Sequence, residues 1–521
     1  MTTHNQTNPP PNPEKIHIAS LMQESGVAFG TSGARGLVSN MTDKICYAYT
    51  AAFIQHLESA TKVLESGFTN PDSDTFNTIA IAGDLRDSTH RIMNAVAAAI
   101  IDKGYQPVNC GNIPSPAIAC HGLQQKIPTI MVTGSHIPDD RNGIKFNTAS
   151  GEILKHDEEN IRRQTVDIPP DLFSADGSFT ETANYLPEAN PEANQSYQQR
   201  YLDFFPANCL TDMNIGLYEH SGVARDILYD LLTALGANVM RLGRSDKFIP
   251  VDTEAIRDED IRLARKWSQE HNLDAIVSTD GDADRPLVGD ENGNWLRGDI
   301  AGILCARYLG ITHIATPVSS NTAVERSGLF KTVRRTRIGS PYVIATMQKL
   351  KAETDGDIAG YEANGGFLLE TPVEREGKTL AALPTRDAVI VILSLLAMAK
   401  QEGSKISELT DSLPARFTAS NRLKEFPTEK SKACIEKLTE NSGDSPYQAI
   451  ENMFGELCGK VESTDMTDGL RITFQNGEII HLRPSGNAPE FRCYNEADNR
   501  KRVDRLNQEC MNRIAIVGAE F

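Results

Sequence analysis

The sequence has no C-x-x-C pair. Its nine cysteines are odd in number and scattered, which argues for reduced thiols in a reducing compartment and against a disulfide framework. It also has no apolar stretch long enough to span a bilayer. The longest, AVIVILSLLAMA at 388–399, is bounded by Asp387 and Lys400, so no membrane partner is expected. The opening MTTHNQTNPPPNPEK lacks the apolar run of a signal peptide and reads as a disordered tail over residues 1–15. Basic charge is short as well. The 52 Lys+Arg set against 70 Asp+Glu leave a net charge of −18, which argues against a nucleic-acid surface and suits a soluble cytoplasmic protein. Any anionic ligand would need a local basic pocket.

At 521 residues the chain requires several cores. One pattern recurs three times: a short apolar run, a polar loop, a helix-like stretch, glycine, and a second apolar run. It is seen in NTIAIAGDLRDSTHRIMNAVAAAIIDKGYQPVNCG, in NIGLYEHSGVARDILYDLLTALGANVMRLG and, more loosely, in THIATPVSSNTAVERSGLFKTVRRTRIG. This βαβ grammar predicts three related α/β domains with mixed sheets, over 16–206, 207–311 and 312–420. The segment 168–195, polar and proline-bearing, reads as an excursion late in the first. The last stretch, 421–521, contains a hairpin pattern turning at Asn476-Gly477 and then a helical one, predicting a small α+β module.

Five segments carry candidate chemistry. VSTDGDADRPLVGDE (277–291) follows an apolar, β-branched run and places Asp280, Asp282 and Asp284 at alternate positions around Gly281. A tight turn could aim three carboxylates at one hard cation; a solvated acidic turn is the bland alternative. An EF-hand is disfavoured, since Arg285 stands where its glycine is needed and a strand leads in. IPTIMVTGSHIPDDRNGIKF (127–146) sets Ser135 beside His136 where a strand ends, with Asn142, Gly143 and Lys145 beyond. It is not G-x-S-x-G, so a hydrolase elbow is unsupported. AFGTSGARGLV (28–38) packs glycines and hydroxyls around Arg35 and suits a phosphate, but lacks the lysine of a Walker A loop. AGYEANGGFLLE (359–370) puts Glu362 and Asn364 in a glycine-flanked loop able to bond sugar hydroxyls. HLRPSGNAPEFRCYNEA (481–497) gathers Arg483, Ser485, Gly486, Asn487 and Arg492 in a phosphate-sized turn.

In this order and over nearly the whole chain, these segments resemble the α-D-phosphohexomutase superfamily. Its F-G-T-S-G-x-R-G is intact at Phe29–Gly36, and its D-G-D-x-D-R loop is intact at Asp280–Arg285. The phosphoserine loop T-A-S-H-N-P, followed by N-G-x-K, becomes Thr133-Gly134-Ser135-His136-Ile137-Pro138 and Asn142–Lys145. The sugar loop G-E-x-S-G is approximate around Glu362 and Asn364, and R-P-S-G-T-E-P becomes Arg483–Pro489 with Asn487 and Ala488 in it.

The resemblance implies an active site in a central cleft and an isomerase acting by phosphoryl transfer. A phosphate on Ser135 would pass to a hexose monophosphate, giving a 1,6-bisphosphate that turns round and returns its other phosphate. It implies Mg²⁺ held by Asp280, Asp282, Asp284 and the phosphoryl group on Ser135, with a hexose 1,6-bisphosphate as activator. Arg35, His136 and Lys145 would serve the transfer. Arg285, Ser340 (in RRTRIGSPYV, 334–343), Glu362 and Asn364 would meet the sugar, and Arg483, Ser485, Gly486, Asn487 and Arg492 its distal phosphate. The partners implied are sugar phosphates, with the chain a monomer or homodimer. Phosphomannomutase activity is the favoured expectation. Phosphoglucomutase is the alternative, then phosphoglucosamine mutase, which Ala283 disfavours because glycine is common there, or a non-catalytic sugar-phosphate- or Ca²⁺-binding protein of the same fold.

Overall fold

The computed structural model describes residues 13–30, 33–65, 77–440, 446–485 and 489–518. Most of the expected tail therefore lies outside the described residues. Its last two residues depart from that expectation, since Glu14 and Lys15 begin the strand Glu14–His17, which pairs antiparallel with Thr165–Ile168.

Three mixed sheets follow one plan. In each, the first strand of the recurring pattern is flanked by parallel neighbours, and the fourth strand of that pattern returns antiparallel beside the third. In the first unit Thr78–Gly83 lies between Gln106–Asn112 and Thr129–Val132, with Arg141–Thr148 returning. The second unit has Asn214–Tyr218 between Asn238–Leu242 and Ala275–Thr279, with Pro286–Gly289 returning. The third has His313–Pro317 between Thr332–Thr336 and Ile358–Tyr361, with Phe367–Leu369 returning. Central parallel strands are covered on both faces and so read as unbroken apolar runs; every residue of Ala275–Thr279 is buried. The recurring sequence pattern is thus three copies of one sheet order, and the fold class is as expected.

The plan fixes the function-bearing loops. The turn between the third and fourth strands carries Ser135 in the first unit, the three aspartates in the second, and Glu362 and Asn364 in the third. All three leave the carboxyl end of a parallel strand, where open α/β sheets place their ligands.

The apolar run 388–399 is a core helix, Ala388–Glu402, buried on all sides through Ala399. It starts at Asp387, whose carboxylate accepts the amides of Val389 and Ile390, and ends at Gly403 with φ 63°. Tyr197 and Tyr201, from the helix Glu192–Phe204, donate to the same carboxylate and pin that helix to the third unit. No helix among the described residues is long and apolar enough to cross a membrane.

One hydrophobic core runs through all three α/β units, including Met131, Leu217 and Ile314. The C-terminal part is built separately. Its five strands are all antiparallel, and the predicted hairpin is present as Leu470–Phe474 paired with Ile479–Pro484. Leu470, Ile472 and Leu482 pack with Phe454, Leu506 and Ile514 of its helices in a core of its own.

Candidate active site

Ser135 is fully buried and adopts φ 54°, a left-handed conformation that costs a non-glycine residue about 1–2 kcal/mol. Its amide donates to Thr133 Oγ1 at 2.7 Å, and its hydroxyl donates to Asp280 Oδ2 at 2.7 Å across the junction of the first and second units. Asp280 Oδ1 accepts the amides of Asp284 and Arg285, both at 3.2 Å, which folds the aspartate turn back on itself. Ala283 stands at φ 57° within that turn, which explains why glycine also suits the position.

The three carboxylates are buried and can bring one oxygen each within 4.8 Å of one another. Asp282 Oδ1 and Asp284 Oδ1 have no hydrogen-bond partner. Buried, unsatisfied carboxylate oxygens are costly, and an all-oxygen set of this shape fits a hard divalent cation. The remaining oxygens face Lys145, whose Nζ lies 2.6 Å from Asp282 Oδ2 and 2.7 Å from Asp284 Oδ2. Burial alone would pull the Lys145 pKa down, but Asp282 and Asp284 outweigh it and hold it above the usual lysine value. Asp280 behaves oppositely: burial and the charges of Asp282 and Asp284 push its pKa well up.

The other predicted residues divide in two. Arg35 lies on the strand beside Gly143, among the charges of Arg285, Asp282 and Arg386. Its Nε is buried without a hydrogen-bond partner, and burial followed by Arg285 lowers its pKa to about 10. Arg285 Nη1 lies 2.9 Å from His136 Nδ1, so that nitrogen accepts and the ring is neutral. Burial and the Arg285 charge bring the His136 pKa down to about 3. Glu362 also joins the cluster, 3.2 Å from Arg386 Nη1.

Ser340 and Asn364 are engaged elsewhere. The Ser340 hydroxyl, fully buried, donates to Glu152 Oε2 at 2.9 Å. Asn364 Oδ1 accepts the Gly366 amide at 2.9 Å, while its carbonyl accepts from Thr253 Oγ1 at 2.8 Å. Arg483 and Arg492 form a second group on the C-terminal module. Arg483 Nε lies 2.9 Å from Asp468 Oδ2, and Arg492 Nη2 lies 3.1 Å from Glu490 Oε2. Ser485 is buried, with its amide donating to the Glu490 carbonyl at 2.9 Å. Gly486 and Asn487 lie outside the described residues.

The sequence reading missed Ser115 and Arg386. Ser115 donates its hydroxyl to Asp282 Oδ2 and its amide to the Asp282 carbonyl. Arg386 places Nη2 2.8 Å from Asp284 Oδ2. A charged Arg-Asp pair immediately before a wholly apolar helix was the available signal for Arg386; a serine ahead of a proline gave none for Ser115.

The phosphoglucomutase/phosphomannomutase description matches in all four parts. The alpha/beta/alpha domains I, II and III match over residues 26–169, 173–293 and 297–417, and the C-terminal domain over 432–513. A phosphomannomutase of Salmonella muenchen is 43% identical over 494 residues, covering 95% of this chain and 97% of the relative. One from Sinorhizobium fredii (strain NBRC 101917 / NGR234) is 41% identical, covering 92% and 97%. The crystal structure of a phosphoglucomutase/phosphomannomutase family protein from Burkholderia thailandensis shares the fold with a TM-score of 0.68 at 17% identity, covering 94% of this chain and 97% of that one. With Ser135, the three aspartates and Glu362 on equivalent loops of three copies of one sheet order, followed by a separate C-terminal module, the chain belongs to the phosphoglucomutase/phosphomannomutase family of phosphohexomutases.

Proposed function

We propose that this phosphohexomutase interconverts mannose 6-phosphate and mannose 1-phosphate, with Ser135 Oγ carrying the phosphoryl group between the two ends of the sugar. The observation that carries the reading is the 2.7 Å contact of the Ser135 hydroxyl with Asp280, inside a buried set of three carboxylates. The choice of mannose rests on the two relatives at 43% and 41% identity, both phosphomannomutases.

Asp280, Asp282 and Asp284 would hold Mg²⁺, which when bound withdraws charge from the phosphoryl oxygens as a Lewis acid. Lys145, kept protonated by Asp282 and Asp284, stabilises negative charge on the transferring group and can donate, not abstract, a proton. Arg35, with its buried unpartnered Nε, is free to meet a phosphoryl oxygen. Neutral His136 lies 3.3 Å from the serine hydroxyl through Nδ1, which already accepts from Arg285, so it places the hydroxyl and the Arg285 charge and moves no proton itself. Glu362 serves the sugar hydroxyls. Arg483 and Arg492, joined to the serine cluster by no hydrogen bond or ion pair among the described residues, serve the distal phosphate, which must be accepted from either end of the sugar.

The test is a coupled assay on purified protein with mannose 1-phosphate and glucose 1-phosphate in parallel, a hexose 1,6-bisphosphate being supplied as activator. A higher kcat/KM for mannose 1-phosphate is expected. A preference for glucose 1-phosphate would make the chain a phosphoglucomutase, and no turnover of either would remove the assignment.

A further inference from the structure

The Ser135 loop is strained, and something must hold it. Arg86, in the turn after the strand Thr78–Gly83, has a side chain wholly shut off from solvent. Its Nη1 donates to the carbonyls of Pro138 (2.8 Å) and Arg141 (3.0 Å), and its Nη2 to those of Ser135 (2.9 Å) and Ile137 (2.6 Å). Nε donates to Asp84 Oδ2 at 3.2 Å. That carboxylate also accepts Thr133 Oγ1 at 2.7 Å and the Gly134 amide at 3.3 Å, so one ion pair grips the loop on both sides of the serine.

The other face of the guanidinium lies against the second unit. Its carbon is 3.8 Å from the centroid of the Phe248 ring, which follows the strand Asn238–Leu242. Two glycines make the junction possible. A Cβ on Gly134 would come within 2.5 Å of the Arg86 guanidinium carbon. One on Gly281 would lie 2.6 Å from the Ser135 carbonyl and 2.9 Å from the Phe248 ring. The departure from T-A-S-H-N-P at Gly134 thus has a physical reason in this chain: an alanine there would displace Arg86.

We infer that Arg86, seated on Phe248, is a positioning residue for the phosphoryl carrier, fixing the Ser135 loop in its left-handed conformation and in register with the aspartate loop. It touches neither sugar nor phosphate. It acts through four carbonyls that only a planar fork can satisfy together, which a lysine ammonium cannot do. The inference rests on Ser135 being the carrier.

The full-length protein serves for the test, as Arg86→Lys, Gly134→Ala and Phe248→Leu beside wild type. Each is assayed for kcat, for KM with hexose 1-phosphate and for phosphate on Ser135 by peptide mass. Displacing a reacting group by about 1 Å costs on the order of a hundredfold, so Arg86→Lys should lose about that factor in kcat. KM should stay within about threefold, because the distal phosphate and sugar contacts are untouched. Gly134→Ala should reproduce the kcat loss with Arg86 intact, and Phe248→Leu should lose about tenfold through the missing cation–π contact. Wild-type kcat in Arg86→Lys, or a loss confined to KM, overturns the inference. Should Arg86→Lys fail to fold, Gly134→Ala decides, and wild-type kcat there overturns it equally. Wild-type protein never phosphorylated on Ser135 would sink the carrier assignment and this inference together. Phosphorylated wild type beside a fully active Arg86→Lys would sink the inference alone.

Discussion

Arg386 Nη2 lies 2.8 Å from Asp284 Oδ2, with both side chains buried. The third unit thereby reaches into the aspartate loop of the second. The same guanidinium holds Glu362 at 3.2 Å, so a single cation sets the distance between the aspartate loop and the Glu362 loop. Removing one member of a buried pair leaves an uncompensated charge, at a cost of roughly 3–5 kcal/mol. Arg386→Met should lose about that much stability in denaturant titrations of metal-free protein. Added Mg²⁺ should restore part of it, by giving Asp284 another partner. Equal stability with and without Mg²⁺ would separate Arg386 from the cation site.

Asp280 has its pKa raised by burial and by the charges of Asp282 and Asp284, so ionising it opposes folding. As pH rises from the unfolded carboxylate value of about 3.9 through the raised folded one, metal-free protein loses stability. Asp282 and Asp284 are held low, Asp282 chiefly by Lys145 and Asp284 by Arg386 and Lys145, against burial in both cases. Their stabilisation is lost only as pH falls below the ordinary range. Asp280→Asn in chelator should therefore melt higher than wild type at neutral pH and lack the decline, while losing Mg²⁺-dependent activity. A lower Tm would make Asp280 a structural residue.

Lys145 has the same sign of linkage as Asp280 and the opposite of Asp282 and Asp284, but at alkaline pH. Its stabilisation is complete below the unfolded lysine value of about 10.4 and disappears as pH rises through the raised folded value. Lys145→Gln should lack that alkaline loss. It should also cost about 10²–10³ in kcat, the usual effect of removing one donor from a charge-stabilising site. An inflection in wild-type kcat near neutrality that vanishes in Lys145→Gln would show instead that the lysine titrates during turnover.

Arg483→Ala should raise KM roughly ten- to a hundredfold, corresponding to about 1.5–3 kcal/mol for a hydrogen bond to a charged group. The increase should be equal for mannose and glucose phosphates, since the guanidinium reads phosphate and not the 2-hydroxyl. Loss of one sugar alone would put the distal phosphate elsewhere.

The sequence displays residues that act together only when they are close along the chain. Asp280, Asp282 and Asp284 share one turn, and a β-branched run marks the strand before it, so both the carboxylate cluster and the strand were legible. The threefold recurrence of an α/β unit was legible for the same reason, as a repeated local pattern, while the order of strands within each sheet was not. Arg386 meets Asp284 from about a hundred residues away in sequence, and Ser115 meets Asp282 across 167. Local sequence marks Arg386 by the Arg-Asp pair before an apolar helix, but it names neither residue's partner. Ser340 shows the converse. The resemblance implied a sugar contact there, but its hydroxyl donates to Glu152, 188 residues away in sequence, a partner that only the fold brings near.

The separate core of the C-terminal module has a thermodynamic consequence. Three α/β units sharing one continuous core cannot melt one at a time without exposing apolar surface on their neighbours. The C-terminal module, whose core residues lie wholly within 434–514, carries no such penalty. Calorimetry should resolve two transitions, a small one for the module and a large cooperative one for the rest. A sugar phosphate spanning Ser135 and Arg483 would tie the two together, merging the peaks into one.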